Sequence, residues 1–456
     1  MRIRVIPGGR LQGTVRVPGD KSIAHRWLIL ACTASSRSRL TGLPGALDVR
    51  STASCLAELT LKARPALDLW ARNASSGVEG GGSTWNDTPR GVPNGTLEVE
   101  GEGRDGLIQP RAGLDCGNSG TSMRLLAGIL AAAPFTTELT GDRSLTARPM
   151  ERVAAPLRRM GATVRTTDGH PPLVVTGGRL RGIEHRMEVP SAQVKGALLL
   201  AGAGASGETF VVEPAATRDH TERALGALGA PVRREGLRVG IARFQHEGFE
   251  ATVPGDPSSA AFLIAAAALS GSEMTIEGVG LNPTRLHFLR VLSRMGVVIE
   301  TAVVGEQLGE PLGSIQVAPT DALRSTVVEA HELPLVIDEV PVLAMLGTHA
   351  RGETSFLGAS ELRVKESDRL TALTEGIRAL GGHAAADTDD LVIAGDGLRG
   401  GVASSRGDHR LAMAFTVGSL AADRPCEVEG MEAAAVSFPG FVRTLRSTGA
   451  AIEVVG

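Results

Sequence analysis

The chain has 456 residues, a formal net charge of −3 and a hydrophobic share of 42%, so we expect two or three globular domains rather than one core. The slightly acidic balance argues against nucleic acid as a main partner, because nucleic-acid binding usually needs a basic face. No apolar run reaches the roughly 18 residues of a membrane-spanning helix. The spacing of the four cysteines suits neither a zinc site nor a disulfide framework, which predicts a reducing, cytoplasmic compartment.

The first predicted elements end at a motif that occurs twice. Residues 2 to 17 predict a pair of strands that leads into Val17-Pro18-Gly19-Asp20, followed by an apolar helix. The same four residues recur at 253 to 256, again before an apolar helix, which indicates an internal duplication. We therefore predict a first domain over 19–252 and a second domain over 1–18 plus 253–456. A two-strand crossover hinge near residues 18 and 253 would join them.

Two kinds of helix alternate along both halves. One kind is Leu/Ala-rich and follows small or polar residues, as in the stretches that begin near residues 21, 120, 192, 257, 338 and 409. The other kind ends in Gly before a short β-like run, as in LRRMGATVR from Leu157 and LRSTGAAIEVV from Leu445. The pattern predicts six α/β units, of which the first lacks its Gly ending. Residues 73–97, rich in Gly, Ser, Asn and Pro, predict a surface excursion after that first unit.

Basic residues stand near several predicted helix starts, where the helix dipole disfavours them. The set consists of Lys21, Arg26, Arg124, Arg143, Lys365, Arg369 and Arg410. A single Lys or Arg is usually a solvated surface residue, and Ser22 or Thr121 can be an ordinary N-cap. Repetition of the pattern at corresponding unit starts instead indicates a ligand with several phosphate or carboxylate groups.

Acidic residues accompany these cations in the second half. Asp338 opens an apolar stretch, so it either caps a helix or faces a site. Glu366 follows Lys365 and is either a first-turn glutamate or part of the site. Beside a bound polyanion, these carboxylates and Lys21 would be able to exchange protons as general acids and bases.

The motifs resemble those of the 5-enolpyruvylshikimate-3-phosphate synthase family, in the order and over the span that this family shows. They read PGDKSIAHR, DCGNSGTSMR, GDRSLTARPM, PSAQVKGALLLAG, RDHTER, IDEVPVLA, RVKESDRL and GDHRLAMA. The resemblance implies an α/β enolpyruvyl transferase fold of two similar domains, each with three repeated βαβαββ units that close on the substrates. It also implies transfer of the enolpyruvyl group of phosphoenolpyruvate to the 5-hydroxyl of shikimate 3-phosphate, with release of phosphate, in aromatic amino-acid biosynthesis. Neither a metal nor an organic cofactor is expected, and the chain is expected to be a monomer.

The resemblance assigns roles to individual positions. Asp338, Glu366 and Lys21 would be the catalytic acids and bases. Shikimate 3-phosphate would be bound by Lys21, Ser22, Arg26, Ser191, Ala192, Gln193, Thr217, Arg218, Asp338 and Lys365. Phosphoenolpyruvate would be bound by Lys21, Gly120, Arg143, Gln193, Arg369 and Arg410. Gly120 would leave space beside phosphoenolpyruvate.

Some positions depart from the family pattern. Val436 stands where some members have a lysine, and the segment from about 60 to 98 matches poorly. The sister enzyme that acts on UDP-N-acetylglucosamine uses a loop cysteine and a Lys-Asn pair, whereas Ser22 follows Lys21 here and no cysteine lies between 117 and 425. A non-catalytic binder of phosphorylated metabolites is the other alternative, which the joint presence of Lys21, Asp338 and Glu366 disfavours.

Overall fold

The computed structural model describes residues 1–73, 95–320 and 322–455, so most of the predicted surface excursion at 73–97 lies outside the described residues. The chain divides into two compact units. The N-terminal unit comprises Gly19–Pro254 and Glu306–Glu310, and the C-terminal unit comprises Met1–Pro18, Gly255–Gly305 and Pro311–Gly456.

Short strands and helices alternate along the described chain. The strands are β1 (Arg2–Ile6), β2 (Thr14–Arg16), β3 (Arg37–Thr41), β4 (Leu97–Glu100), β5 (Leu114–Asp115), β6 (Thr136–Thr140), β7 (Thr163–Thr167), β8 (His170–Thr176), β9 (Glu184–Arg186), β10 (Thr209–Val212), β11 (Arg233–Glu235), β12 (Arg238–Ile241), β13 (Glu250–Thr252), β14 (Met274–Gly280), β15 (Ile299–Gln307), β16 (Glu310–Val317), β17 (Val327–Val328), β18 (Glu353–Phe356), β19 (His383–Ala386), β20 (Leu391–Ala394), β21 (Gly401–Ser404), β22 (Cys426–Glu429) and β23 (Ala451–Val454). The α-helices are α1 (Lys21–Thr33), α2 (Leu47–Leu59), α3 (Arg64–Asn73), α4 (Gly120–Leu130), α5 (Arg143–Thr146), α6 (Glu151–Met160), α7 (Ala192–Gly202), α8 (His220–Ala227), α9 (Pro257–Leu269), α10 (His287–Arg294), α11 (Leu333–Val336), α12 (Val340–Gly347), α13 (Arg369–Ala379), α14 (His409–Gly418) and α15 (Phe441–Thr448).

The described strands form six small sheets, three in each unit. In one of them, β5 and β6 are parallel and joined by α4, and α6 then leads to the antiparallel pair β7 and β8. The strand order β5-β6-β8-β7 recurs in the sheets β9-β10-β12-β11 and β17-β18-β20-β19. It also recurs in the sheet β21-β22-β1-β23, where β1 occupies the position that β8 has in the first sheet. These are the predicted βαβαββ repeats, and the predicted α/β fold class is confirmed.

Two of the sheets exchange their first strand. β2 precedes α1 in the chain but pairs in parallel with β14, which follows α9. β13 precedes α9 but pairs in parallel with β3, which follows α1. At the exchange, the Asp20 N–H donates to the Pro254 carbonyl at 2.7 Å and the Asp256 N–H donates to the Pro18 carbonyl at 2.8 Å. The two Val-Pro-Gly-Asp segments therefore carry the chain between the units.

Each unit has its own apolar core around Leu/Ala-rich helices. α1, α4 and α7 lie in the core of the N-terminal unit, and α9, α12 and α14 lie in that of the C-terminal unit. α9 buries every residue from Pro257 to Ala268, as expected of a helix that is apolar on all sides. The outer helices α6 and α15 end at Gly161 and Gly449, with φ of 114° and 117°. This left-handed conformation favours Gly because it has no Cβ, which confirms the predicted helix ends.

The four cysteines are all free and buried. Among the residues that the structure describes, no helix has both the length and the apolar character required to cross a bilayer.

Candidate functional site

The start of α1 holds the first predicted catalytic residue. The Asp20 carboxylate caps the helix by accepting from the Ile23 N–H at 3.0 Å. Lys21 is the first helical residue, and its Nζ lies 2.7 Å from Oδ2 of Asp48 in the first turn of α2. Asp20 rather than Ser22 is therefore the N-cap, which leaves the Ser22 side chain available for other contacts. Asp48 offsets the unfavourable position of a lysine at the positive end of the helix.

Arg26 connects the helices that carry the predicted shikimate 3-phosphate residues. Its Nε donates to Thr221 Oγ1 at 2.7 Å, its Nη1 to the Ser22 carbonyl at 2.7 Å, and its Nη2 to the Ala192 carbonyl at 3.3 Å. Burial lowers the pKa of the Arg26 guanidinium to about 10, an effect that Glu222 opposes. Arg26 thus stays charged at neutral pH and fixes the starts of α1, α7 and α8 to one another.

The neighbouring positions of this group lie close by. Ser191 caps α7 by accepting from the Val194 N–H at 3.3 Å. Arg218 Nη1 lies 3.5 Å from Ser22 Oγ. Thr217 donates its hydroxyl proton to Glu213. The structure therefore brings the predicted residues of α1, α7 and the segment before α8 together within the N-terminal unit.

A second cluster surrounds the start of α4. Ser119, not Thr121, caps this helix, accepting from the Ser122 N–H at 3.1 Å. Gln193 donates from Nε2 to Thr121 Oγ1 at 2.8 Å and accepts from Arg124 Nη1 at 2.5 Å. A Cβ on Gly120 would lie 2.7 Å from Arg124 Nη1 and 3.4 Å from Arg148 Nη1. Two guanidinium groups therefore border the small space that Gly120 leaves.

Arg148 lies at the start of α4, whereas the family resemblance assigns Arg143 to phosphoenolpyruvate. The side chain of Arg143 is exposed at the first position of the short helix α5. Arg148 Nη2 donates instead to Asn118 Oδ1 at 2.6 Å and to Ser144 Oγ at 3.2 Å. The motif GDRSLTARPM contains both arginines, and spacing alone does not show which one faces the start of α4. The geometry favours Arg148 over Arg143 as the anion-binding residue of this cluster.

The sequence analysis did not predict a buried charge network near Arg26. Lys195 on α7 is fully buried, and its Nζ lies 2.9 Å from Glu213 Oε2 and 2.7 Å from Glu222 Oε1. Burial raises the pKa of the Glu222 carboxyl, an effect that Lys195 opposes. The signal in the sequence was a lysine inside an apolar helix, because such a residue needs buried partners.

Arg369 is the centre of the predicted site in the C-terminal unit. Its side chain is 1% exposed, and its Nε donates to Asp408 Oδ2 at 2.7 Å. Nη2 pairs with Glu366, and Nη1 lies 3.8 Å from Asp338 Oδ1. Burial disfavours the charged form, but the surrounding carboxylates, Asp408 foremost, outweigh burial and hold the pKa of Arg369 above its usual value.

Arg410 lies on the other side of Asp338. Its Nη1 donates to the Asp338 carbonyl at 2.9 Å, and its Nη2 lies 3.4 Å from Asp338 Oδ2. Asp338 does not cap α12, because Glu339 occupies the N-cap position. Glu366 precedes Asp368, the N-cap of α13, so it is not a first-turn residue. The Asp338 and Glu366 carboxylates are 18% and 28% exposed, so solvent reaches both.

Lys365 adds a third cation to this cluster. Burial lowers the pKa of the Lys365 ammonium, an effect that Asp338 opposes and Arg369 reinforces. Asp408, the N-cap of α14, accepts from the Arg410 N–H at 2.9 Å. Burial by itself would raise the pKa of Asp408, but Arg369 outweighs it and the pKa is lowered.

Each cluster has a composition suited to anions. The N-terminal unit gathers Lys21, Arg26, Arg124, Arg148 and Arg218 near the starts of α1, α4 and α7. The C-terminal unit places two partly exposed carboxylates beside Lys365, Arg369 and Arg410, so proton transfer is chemically available there. Within the described part of the chain, no group of three or more His, Cys, Asp or Glu side chains is placed to hold a metal ion.

Comparison with known proteins identifies the family. The model of the EPSP synthase (3-phosphoshikimate 1-carboxyvinyltransferase) family matches residues 5–71 and 92–445. A 3-phosphoshikimate 1-carboxyvinyltransferase from Methylococcus capsulatus is 46% identical over 98% of this chain and 97% of its own length. The corresponding protein from Halorhodospira halophila is 46% identical over 99% of this chain and 97% of its own length.

Solved structures agree with this result. The EPSP synthase from Acinetobacter baumannii superposes with a TM-score of 0.81 at 37% identity, over 100% of both chains. The enolpyruvyl transferase NikO from Streptomyces tendae shares the fold, with a TM-score of 0.74 at 22% identity over 99% of this chain and 98% of its own. The resemblance drawn from the motifs is therefore confirmed, and the chain belongs to the EPSP synthase (3-phosphoshikimate 1-carboxyvinyltransferase) family.

Proposed function

We propose that this chain transfers the enolpyruvyl group of phosphoenolpyruvate to the 5-hydroxyl of shikimate 3-phosphate and releases phosphate. The observation that carries the proposal is the similarity, over nearly the whole chain, to relatives named for this reaction. The reaction belongs to the shikimate pathway of aromatic amino-acid biosynthesis. The two charged clusters support the proposal, because the two substrates together bring two phosphates and two carboxylates.

The chemistry needs the addition and the later removal of a proton at carbon, and the removal of one proton at oxygen. A proton is added to the methylene carbon of phosphoenolpyruvate, the adjacent carbon becomes cation-like, and the 5-hydroxyl oxygen forms a bond to it. The resulting tetrahedral intermediate breaks its carbon–oxygen bond to phosphate and returns the proton from the methyl carbon, which restores the double bond. We assign removal of the hydroxyl proton to Asp338 and the transfers at carbon to Glu366 and Lys21. Asp338 contacts the guanidinium groups of Arg369 and Arg410, and Glu366 pairs with Arg369, so cations lie beside both carboxylates.

Binding follows the contacts within each unit. In the N-terminal unit, Ser22, Arg26, Ser191 to Gln193, Thr217 and Arg218 would hold shikimate 3-phosphate. Lys21, Gly120 and Gln193, with Arg148 in preference to Arg143, would contact phosphoenolpyruvate. In the C-terminal unit, Arg369 and Arg410 would bind phosphoenolpyruvate, and Lys365 and Asp338 would bind shikimate 3-phosphate.

We further propose that the units close on the substrates about the crossover near residues 18 and 253. Closure would exclude water, strengthen the interactions with the charged groups and protect the reactive intermediate. A monomeric state, a cytoplasmic location and independence from cofactors are part of the same proposal.

The test is phosphate release, measured with phosphoenolpyruvate in the presence of shikimate 3-phosphate, of UDP-N-acetylglucosamine, or of neither. Release that depends on shikimate 3-phosphate supports the proposal. Release that depends on the nucleotide sugar would assign the sister activity, and tight binding of shikimate 3-phosphate without release would identify a non-catalytic binder.

A further inference from the structure

The second Val-Pro-Gly-Asp junction lacks the lysine of the first. Pro257 and Ser258 stand at the start of α9 where Lys21 and Ser22 stand at the start of α1. Both helices are capped by the aspartate of the motif. Because proline has no positive charge, the second junction must have a role other than presenting a cation at the start of a helix.

A buried polar chain runs from this junction. The Asp256 carboxylate accepts from the Ser258 N–H at 2.8 Å and from Arg285 Nη2 at 2.9 Å. Arg285 Nη2 also donates to Ser258 Oγ at 2.8 Å, and Ser258 Oγ donates to Glu339 Oε1 at 2.5 Å. All four residues are at most 7% exposed. The chain Asp256–Arg285–Ser258–Glu339 is called the junction network below.

The hydrogen bonds of this network have a fixed direction. A serine hydroxyl carries a single proton, and Arg285 can only donate to it. Ser258 must therefore give its proton to the carboxylate of Glu339, which is buried.

Glu339 is the residue that follows Asp338. The carbonyl of the peptide bond between these two residues, which belongs to Asp338, accepts from Arg410 Nη1 at 2.9 Å. Glu339 also stands at the N-cap position of α12, and no hydrogen bond from the helix to its side chain supports it there. The link from Asp338 to α12 is thus held from one side by Arg410 and from the other by Ser258.

We propose that Glu339 is a positioning residue for Asp338 and that the junction network serves this purpose. The duplicated motif that presents a cation in the N-terminal unit would here fix the backbone from which the catalytic carboxylate projects. The inference rests on the proposed function, because it takes Asp338 to be the base of that reaction. A displacement of about 1 Å at a reacting group costs up to about 100-fold in rate, so removal of the anchor would affect turnover more than binding.

The first experiment compares the kinetics of Ser258→Ala, Glu339→Gln and Ser259→Ala. Ser259 follows Ser258 in α9, is 3% exposed and takes no part in the junction network, so its variant is the matched control. Ser258→Ala is expected to lower kcat at least about tenfold and to leave the KM for phosphoenolpyruvate, which Asp338 does not bind, within about twofold. Glu339→Gln keeps an oxygen that can accept from Ser258, so it is expected to lower kcat less than Ser258→Ala does. An unchanged kcat in Ser258→Ala, or an equal loss in Ser259→Ala, would overturn the inference.

The second experiment does not depend on turnover. The carboxyl carbon of Asp338 is followed by NMR against pH in chain labelled with carbon-13 aspartate, and its signal is assigned from its loss in Asp338→Asn. Ser258→Ala is expected to move the titration midpoint by at least about 0.5 pH unit, whereas Ser259→Ala is not. An unmoved midpoint in Ser258→Ala contradicts the positioning role even if the proposed reaction itself were absent. A moved midpoint in a chain without turnover would overturn the proposed function and keep the positioning role.

Discussion

Lys21 is the residue on which the proposed chemistry depends most, since it would contact both substrates and exchange a proton. We predict that Lys21→Met lowers the rate of phosphate release by about 10³-fold or more, because acid–base catalysis and charge neutralisation are lost together. The variant should stay folded, because Lys21 is the first residue of α1, where the helix dipole disfavours a lysine. Steady-state kinetics measure the loss of rate, and thermal unfolding checks that the variant is folded. A folded variant that retains its turnover would contradict the assignment.

Arg143 and Arg148 form a matched pair for testing the phosphoenolpyruvate site. Arg148 donates to Asn118 near the start of α4, whereas Arg143 is exposed. Arg148→Ala should raise the KM for phosphoenolpyruvate by about 10- to 100-fold, the usual range for a lost charge-assisted hydrogen bond. Arg143→Ala should change it less than about twofold. The reverse order of effects in steady-state kinetics would restore Arg143 to the site.

Gly120 borders the same guanidinium groups. An alanine Cβ would lie 2.7 Å from Arg124 Nη1, so the flexible end of Arg124 must move while the helix itself accepts the change. Glyphosate is a bulkier mimic of phosphoenolpyruvate. Gly120→Ala is expected to weaken inhibition by glyphosate more than it raises the KM for phosphoenolpyruvate. Inhibition kinetics provide the comparison. Equal losses for substrate and inhibitor would show that the space beside Gly120 does not discriminate between them.

At the scale of elements, the helices were more predictable from sequence than their charged partners. Helical periodicity and terminal Gly residues were sufficient to predict helices such as α6 and α15. The partners of Lys195 were not predictable, because Glu213 and Glu222 lie on other elements and no local rule connects them to α7. The same limit applies to Asp48, which the fold brings to Lys21 across 27 positions of sequence.

An ion-pair cluster between α10 and α11 gives a prediction about stability. Arg294 Nη1 and Nη2 lie 2.7 and 2.9 Å from the two Glu332 oxygens, and His287 Nε2 lies 2.8 Å from Oε1. The hydrogen bonds from Arg294 lower the pKa of Glu332 to about 2 from its ordinary value of 4.5. A depressed carboxyl pKa contributes stability above the ordinary value, and this contribution is lost as pH falls from about 4.5 to about 2.

Glu332→Gln should therefore lower the free energy of unfolding by about 2 kcal/mol at pH 7 and by much less near pH 2. The full pKa shift would correspond to a larger loss of stability, but Arg294 is 40% exposed and solvent screens its ion pair with Glu332. Urea unfolding across this pH range measures the effect, with the exposed neighbour changed in Glu329→Gln as the control. A loss that is the same at both pH values, or equal in both variants, would contradict the role of the ion pair.

At the scale of the whole molecule, repetition was the strongest sequence signal. The two Val-Pro-Gly-Asp segments and the alternating helices indicated the α/β repeats, and the order of motifs led to the family. The crossover near residues 18 and 253 was predicted, but the pairing of β2 with β14 and of β13 with β3 was not readable from local patterns, because a strand's pairing partner depends on long-range register rather than on its own residues. Which arginine of GDRSLTARPM faces the start of α4 likewise depended on the turn that α5 introduces.

We propose that cations from both halves of the chain neutralise one pair of charged substrates. A crystal structure with shikimate 3-phosphate and phosphoenolpyruvate bound would test this proposal. We expect one bound pair that contacts Lys21 and Arg26 of the N-terminal unit and Arg369 and Arg410 of the C-terminal unit at once. Substrates bound by one unit alone, or at two separate places, would contradict it.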